Sequence, residues 1–228
     1  MIKKIKEKNI PLILINARIT KKSFEKWNNI NNFSKKIFNK FDLCLSQNNA
    51  TSNYLKTLGA KNIKKIGNLK FSESSSDLKD RSNFKIKKSL KKKKIVFTAI
   101  STHKGEELMC AKVHANLKKK YKNIITIIIP RHIFRANDIR KICDNFGFNA
   151  KIHELNDEMT DENEILIVNH YGSLNQYFNH AKSVFVGKSM LKSLKEVGGQ
   201  NPIDPARLGC KIYHGKYVYN FKEIYEIL

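Results

Sequence analysis

Two apolar runs decide the fold: Lys94–Ile100 (KIVFTAI) and Ile124–Pro130 (IITIIIP). Both are rich in β-branched residues and neither alternates apolar with polar. A strand of this kind has both faces buried, as in a parallel sheet covered by helices. An amphipathic stretch, Gly105–Tyr121, lies between them and reads as the crossover helix. The alternation extends outward. Strands are expected at Ala150–His153, Ile165–Val168, Ser183–Val186 and Lys211–Tyr213, and helices at Ile133–Phe146, Leu174–Asn179, Ile203–Leu208 and Phe221–Leu228. Towards the N-terminus, Ile10–Asn16 reads as a buried strand, Ser23–Asn39 as helical segments and Phe41–Ser46 as a second strand. A helix over Asn48–Leu58, closed by Gly59, and a strand at Ile63–Ile66 complete that half.

Between the halves, Ser72–Lys94 turns to Ser, Asp and Lys, with Phe84 and Ile86 able to seed a short helix. The organisation is therefore a partial N-terminal lobe over 1–71, a linker over 72–93 and a second lobe over 94–228. The fold class is α/β, with two Rossmann-like doubly wound lobes, the N-terminal one incomplete. Ligands of such sheets sit outside the C-terminal ends of the strands, which directs attention to the loops there.

Composition limits the partners. The 228 residues carry 44 Lys and Arg against 20 Asp and Glu, a net charge of +24. The basic clusters Lys85–Lys94 and Lys118–Lys122 lack interleaved aromatics, so no nucleic-acid partner is expected. Two readings of the charge stay open: attraction to an anionic membrane surface, or a coding bias that fills solvated faces with Lys. No run approaches the ~20 apolar residues of a spanning helix, and no signal-peptide core follows Met1–Lys8. Cys44, Cys110, Cys143 and Cys210 are widely spaced and read as free thiols, with no metal site.

Each loop has a structural reading beside a functional one. Ser101-Thr102-His103-Lys104-Gly105-Glu106-Glu107 is ordinary helix-start chemistry, or hydroxyls and free N–H groups that bind an anion. Arg131, between Pro130 and His132, can grip a phosphate in bidentate fashion or face solvent. Gly198-Gly199-Gln200-Asn201-Pro202-Ile203-Asp204 pairs two glycines, which permit close backbone approach, with a carboxylate able to bond a ribose diol. A flexible loop and helix cap would look the same. Arg18 and Lys70 fall at strand ends of the first lobe, either as cleft-lining charges or as salt-bridge partners. Gly172-Ser173-Leu174 and Gly187-Lys188-Ser189 are weaker signals on the same rim, and His170 shows no partner for acid–base work.

Taken in order, Pro11–Ser23 (PLILINARITKKS), Gly67–Phe71 (GNLKF), Ser101–Glu107 (STHKGEE), Pro130–His132 followed by Arg135, Gly198–Ala206 (GGQNPIDPA) and Asn220-Phe221 resemble the 3-deoxy-D-manno-octulosonic acid (Kdo) transferases of Gram-negative lipopolysaccharide synthesis. The resemblance implies a glycosyltransferase-B fold, CMP-Kdo as donor and a lipid A precursor as acceptor. It further implies no cofactor or metal, inversion at the anomeric carbon, and a place on the cytoplasmic face of the inner membrane. Carried over by motif, Arg131 would bind the nucleotide phosphate, and Ser101, Thr102 and Gly105 would shape the phosphate and sugar pocket. Asn201 and Asp204 would hold the ribose, with His103, His132, Gly198 and Gly199 in the same donor-binding set.

The chain departs from the pattern at Gln200, where the family has His, and at Asp204, where it has Glu. Asn169-His170-Tyr171-Gly172-Ser173-Leu174 loses both acids of Asp-Thr-x-Gly-Glu-Leu. No acidic residue matches the family's general base, so the catalytic residue is unknown. The expectation is a fragment, a split gene product or a truncated relative, which leaves room for a missing N-terminal partner chain. The alternative is a catalytically silent nucleotide-binding or interaction module. A transferase using another nucleotide sugar is a third reading that the motif set disfavours.

Overall fold

The computed structural model describes residues 2–69, 95–155, 157, 160–172 and 175–228. The chain forms two compact units, Met1–Glu73 and Ser74–Leu228. The expected linker over 72–93, its helix around Phe84 and Ile86, and Lys70, Ser173 and Leu174 lie outside the described residues.

The first unit runs α1 (Ile2–Glu7), β1 (Ile13–Ala17), α2 (Lys21–Asn29), α3 (Asn31–Phe38), β2 (Leu43–Ser46), α4 (Asn49–Thr57) and β3 (Ile63–Lys65). Its sheet is parallel in the order β1-β2-β3. The sequence dictates the helix starts. Thr20 Oγ1 accepts from Ser23 N at the head of α2, and Asn48 Oδ1 from Thr51 N at 2.8 Å at the head of α4. Gly59 ends the α4 segment at φ +99°, as its place in the sequence suggested. The core packs Phe38, Cys44, Leu55 and Leu58 against Phe24 and Trp27.

Two expectations need correction in this unit. The strand read as buried over Ile10–Asn16 is shorter and lies at the edge of the sheet, with Ile13 52% and Ile15 62% exposed. Among the described residues it pairs on one side only, and the alternate positions Ile13 and Ile15 share one uncovered face. The basic start of the chain, given no structure by the sequence, forms α1. Lys6 Nζ reaches Asp42 at 2.7 Å, and Leu12 N donates to the same carboxylate. The Lys6 ammonium holds the Asp42 carboxyl below its ordinary range.

The second unit runs β4 (Ile95–Thr102), α5 (Glu106–Lys120), β5 (Ile124–Pro130), α6 (Ala136–Asp144), β6 (Ala150–His153), β7 (Ile165–Val168), α7 (Asn175–Phe178), β8 (Ser183–Val186), α8 (Ile203–Arg207), β9 (Lys211–His214) and α9 (Lys222–Tyr225). The sheet is wholly parallel in the order β6-β7-β5-β4-β8-β9. Every residue of β5 is buried. Ile125, Ile127 and Ile129 face one core layer with Tyr177 and Val184, while Ile128 faces the other with Cys110, Ile139 and Cys143. At about 25 cal/mol per Å² of apolar surface, such doubly covered strands carry most of the unit's hydrophobic stabilisation.

Two helices differ from expectation. Ile133–Phe146 opens as a 3-10 turn over Ile133–Arg135, and the α-helix begins only at Ala136. The closing helix is a 3-10 turn at Tyr219–Phe221 and one turn of α9, where Tyr225 packs on His214 and donates its hydroxyl to the Gln200 carbonyl. Ile227 and Leu228 beyond it are exposed. All four cysteines are free and buried, and burial raises Cys143 to about 12 and Cys210 to about 11, so neither is a thiolate near neutrality.

His114 and His153 are fully buried. His114 Nδ1 meets Thr126 Oγ1 at 2.8 Å, and desolvation lowers both imidazoles to about 4. An unfolded histidine, titrating near the ordinary ~6.5, binds a proton across the interval from about 6.5 down to 4 while the folded one does not. Stability therefore falls as pH falls through this window. Urea unfolding at pH 7 and pH 5 will show it, and His114→Gln will reduce the proton uptake on unfolding by about one.

Candidate functional site

The chain leaves β4 for β5 on one side and later returns through β8 on the other. A reversal of this kind opens a crevice outside the strand C-termini. The loops after β4, β5 and β8 meet there, and their backbones are tightly constrained. Ser101 at φ +52° and Lys188 at φ +57° occupy the left-handed region without being glycine. Strain of this size, of order 1–3 kcal/mol per residue, persists only where the surroundings over-determine it.

Glu106, in the first turn of α5, supplies much of that determination. Its carboxylate is 1% exposed. Oε2 accepts from His103 N at 2.9 Å and Lys188 N at 2.7 Å, and Oε1 accepts from Ser189 N at 2.8 Å and Met190 N at 3.1 Å. Gly187 permits the approach: a Cβ there would stand 2.7 Å from Ser101 O and 2.8 Å from Thr102 Cα. The neighbouring Glu107, also buried, takes a bidentate pair from Arg135 at 2.7 and 3.0 Å. The sequence shows both acids only as helix-start residues. Nothing in their spacing reveals that Glu106 binds a loop 82 residues further on.

The sequence-derived residues distribute as follows. Thr102 and Arg131 are brought together, with Arg131 N donating to Thr102 O at 3.1 Å. Thr102 Oγ1 is buried and has no partner among the described residues. Arg131 and His132 are exposed, and no ion pair holds Arg131 among the described residues. The His103 and His132 rings stand 6.0 Å apart, and His132 stacks on Phe134, which is 79% exposed. His103 Nδ1 lies 3.0 Å from Ser101 O, and burial lowers its pKa, which disfavours the charged ring. Gly105 adopts φ +99° as the cap of α5.

The paired glycines face their own chain. A Cβ on Gly198 would lie 2.2 Å from Tyr217 O, and one on Gly199, at φ +90°, would lie 3.1 Å from Val218. Gly199 N donates to Lys188 O at 2.6 Å, which ties this loop to the one after β8. The close approach expected for a ligand is thus used by the segment Tyr217–Val218. Asn201 Oδ1 accepts from Ile203 N at 3.1 Å, leaving its Nδ2 buried and without a partner among the described residues. Asp204 lies half-buried in the first turn of α8, as the sequence placed it.

On the far side of Arg131, the loop after β7 holds His170 against Tyr177 Oη at 2.9 Å. The fully buried His153 stands 6.0 Å from His170, with neither ring nitrogen partnered among the described residues. In the first unit, Asn16, the penultimate residue of β1, adopts φ +52°. Its Oδ1 accepts from Gln47 Nε2 at 2.8 Å and Leu69 N at 3.3 Å, beside the exposed Arg18.

A family described as 3-Deoxy-D-manno-octulosonic-acid transferase (kdotransferase) matches residues 1–73. The chain is 26% identical over 223 residues to the 3-deoxy-D-manno-octulosonic acid transferase of Haemophilus influenzae, covering 97% of this chain and 51% of that protein. The chain spans about half the length of the curated relatives it matches. Among solved structures, it is similar to the C-terminal CMP-Kdo binding domain of WaaA from Acinetobacter baumannii, with TM-score 0.54 and 23% identity over 62% of this chain and 75% of that one. HepE from Anabaena, solved with UDP and glucose, aligns with 97% of this chain and 57% of its own at TM-score 0.51 and 11% identity. The fold is that of the two-lobed glycosyltransferases, and the likeness first read from the motifs holds.

Gly187→Ala tests the packing at the centre of the rim. The added methyl must displace backbone rather than a side-chain tip, so stability will fall by about 1–3 kcal/mol in urea unfolding.

Proposed function

We propose, from this likeness to the Kdo transferases, that the chain is the donor-binding part of an enzyme transferring Kdo from CMP-Kdo to a lipid A precursor in lipopolysaccharide synthesis. The observation that carries the reading is the rim of the second unit. An exposed arginine without an ion pair among the described residues stands beside Thr102, whose hydroxyl is buried and unpartnered. The Asn201 amide is a second buried donor in a loop bonded to the same rim. A nucleoside monophosphate needs such donors, and a guanidinium meets its phosphate with two parallel N–H groups.

The chemistry proposed for the whole enzyme is direct displacement with inversion. The acceptor hydroxyl, deprotonated by a carboxylate, attacks the anomeric carbon, the bond to the phosphate oxygen breaks, and CMP departs. Arg131 offsets the charge that collects on the leaving phosphate, so this reading calls for no metal. No acidic residue of this chain corresponds to the base, which we assign to a segment or partner chain outside this sequence. The open edge at β1, with Ile13 and Ile15 exposed, is the surface we assign to that partner.

Arg131→Ala will weaken CMP binding in calorimetry at least tenfold, with unfolding midpoints unchanged because the side chain is exposed. A wild-type chain that binds neither CMP nor CMP-Kdo would sink the proposal. The lost acids around Asn169 and Gly172 favour a second reading, a binding module without catalysis. CMP binding with no radiolabelled transfer, even when the remaining segment of a full-length relative is supplied, would identify it.

We further propose that the protein works at the cytoplasmic face of the inner membrane, held by charge. Its net +24 supports this, and no helix among the described residues is long and apolar enough to cross a bilayer. The chain will co-sediment with vesicles containing anionic phosphatidylglycerol at 50 mM salt, and will be released at 0.5 M, where the Debye length shrinks to roughly 4 Å.

A further inference from the structure

We infer that Glu106 is a positioning residue of the donor site, acting through the loops after β4 and β8; this rests on the reading above. A buried carboxylate is costly unless its oxygens are saturated, and Glu106 takes four backbone N–H groups from two loops far apart in sequence. The left-handed residues stand at these loops, Ser101 at the C-terminal end of β4 and Lys188 just after β8. One of its donors, Lys188, passes the constraint on: its carbonyl accepts Gly199 N at 2.6 Å and so fixes the loop leading to Asn201. On the other side, the bond from Arg131 N to Thr102 O carries it to the arginine. The groups assigned to the nucleotide thus stand on three loops whose shared anchor is one side chain that itself faces no solvent.

An amide cannot reproduce this anchor. Glu106→Gln offers one acceptor oxygen, and turns an NH2 group towards N–H donors that the second oxygen had accepted. Glu106→Asp keeps the charge but shortens the reach. The experiment measures CMP binding by calorimetry and amide hydrogen exchange at His103, Lys188, Ser189 and Met190 in the full chain. A third variant, Ile139→Ala, destabilises the core layer around Cys110 and Cys143 without removing any donor to Glu106 and serves as control.

In Glu106→Gln the four amides will exchange at least a hundredfold faster and CMP affinity will drop about thirtyfold or more, while amides of β5 stay protected. Glu106→Asp will fall between it and the wild type, and carries the test if the glutamine variant does not fold. Ile139→Ala will lower the unfolding midpoint yet bind CMP within twofold of wild type. The inference is overturned if the Glu106 variants bind CMP like the wild type, or if their loss merely tracks stability as in the control. Failure of the wild type to bind CMP would instead remove the functional reading. The exchange rates alone would then decide whether Glu106 holds the loops.

Discussion

A carboxylate with almost no contact with water sits at the start of α5, and the rim of the second unit is arranged around it. Moving an ionised group into a protein interior costs several kcal/mol even after relaxation, so its oxygens must be fully used. Glu106 uses them on His103, Lys188, Ser189 and Met190. Charge-assisted bonds of this kind are roughly twice as strong as neutral ones. The N-terminal end of a helix, with its partial positive charge, is also where a negative side chain is least costly. The hydrogen bonds hold two unfavourable backbone conformations in place, and Gly187 lets the two loops touch.

Behind the rim, the sheet supplies rigidity. β4 and β5 pair over nearly their whole length, and both are covered by helices on either face. In the first unit a smaller parallel sheet in sequential order has less cover, and its edge strand keeps two isoleucines in water. The contrast locates mechanical stability. Loops that must present a guanidinium and an amide to one small ligand stand on the fully covered sheet, where side-chain positions shift least.

Much of this was legible because the physics involved is local. The run IITIIIP is too apolar for any strand but a buried one, and Asn48 and Gly59 mark helix ends by chemistry confined to one turn. Arg131 and Thr102 could be placed on one rim because neighbouring parallel strands end together. What escaped depends on distant partners. Whether Ile13 is covered is decided by which elements pack on that face of β1, and sequence does not place them. The glycine pair was legible as a close approach, yet its partner, the backbone at Tyr217 and Val218, is visible only in three dimensions. Glu106 and Glu107 are identical neighbours in sequence, and only the structure separates a carboxylate that binds backbone from one that binds Arg135.

This separation bears on how an anionic donor would be held. A helix N-terminus is commonly a ready anion site, and the sequence around Ser101–Gly105 invites that reading. In the fold, the positive end of α5 already meets two carboxylates in its first turn, and the His103 N–H is committed to one of them. Two negative charges in the first turn offset the positive end of the helix. His103 does not restore positive charge there, since burial disfavours its charged form. Positive charge on the rim must come from side chains that are exposed and not already spent, and Arg131 and Lys104 both meet these conditions among the described residues. The acidic pair at the helix start thus shifts the electrostatic work from the backbone to exposed basic side chains of the rim, and of these only Arg131 can meet a phosphate with two parallel N–H groups.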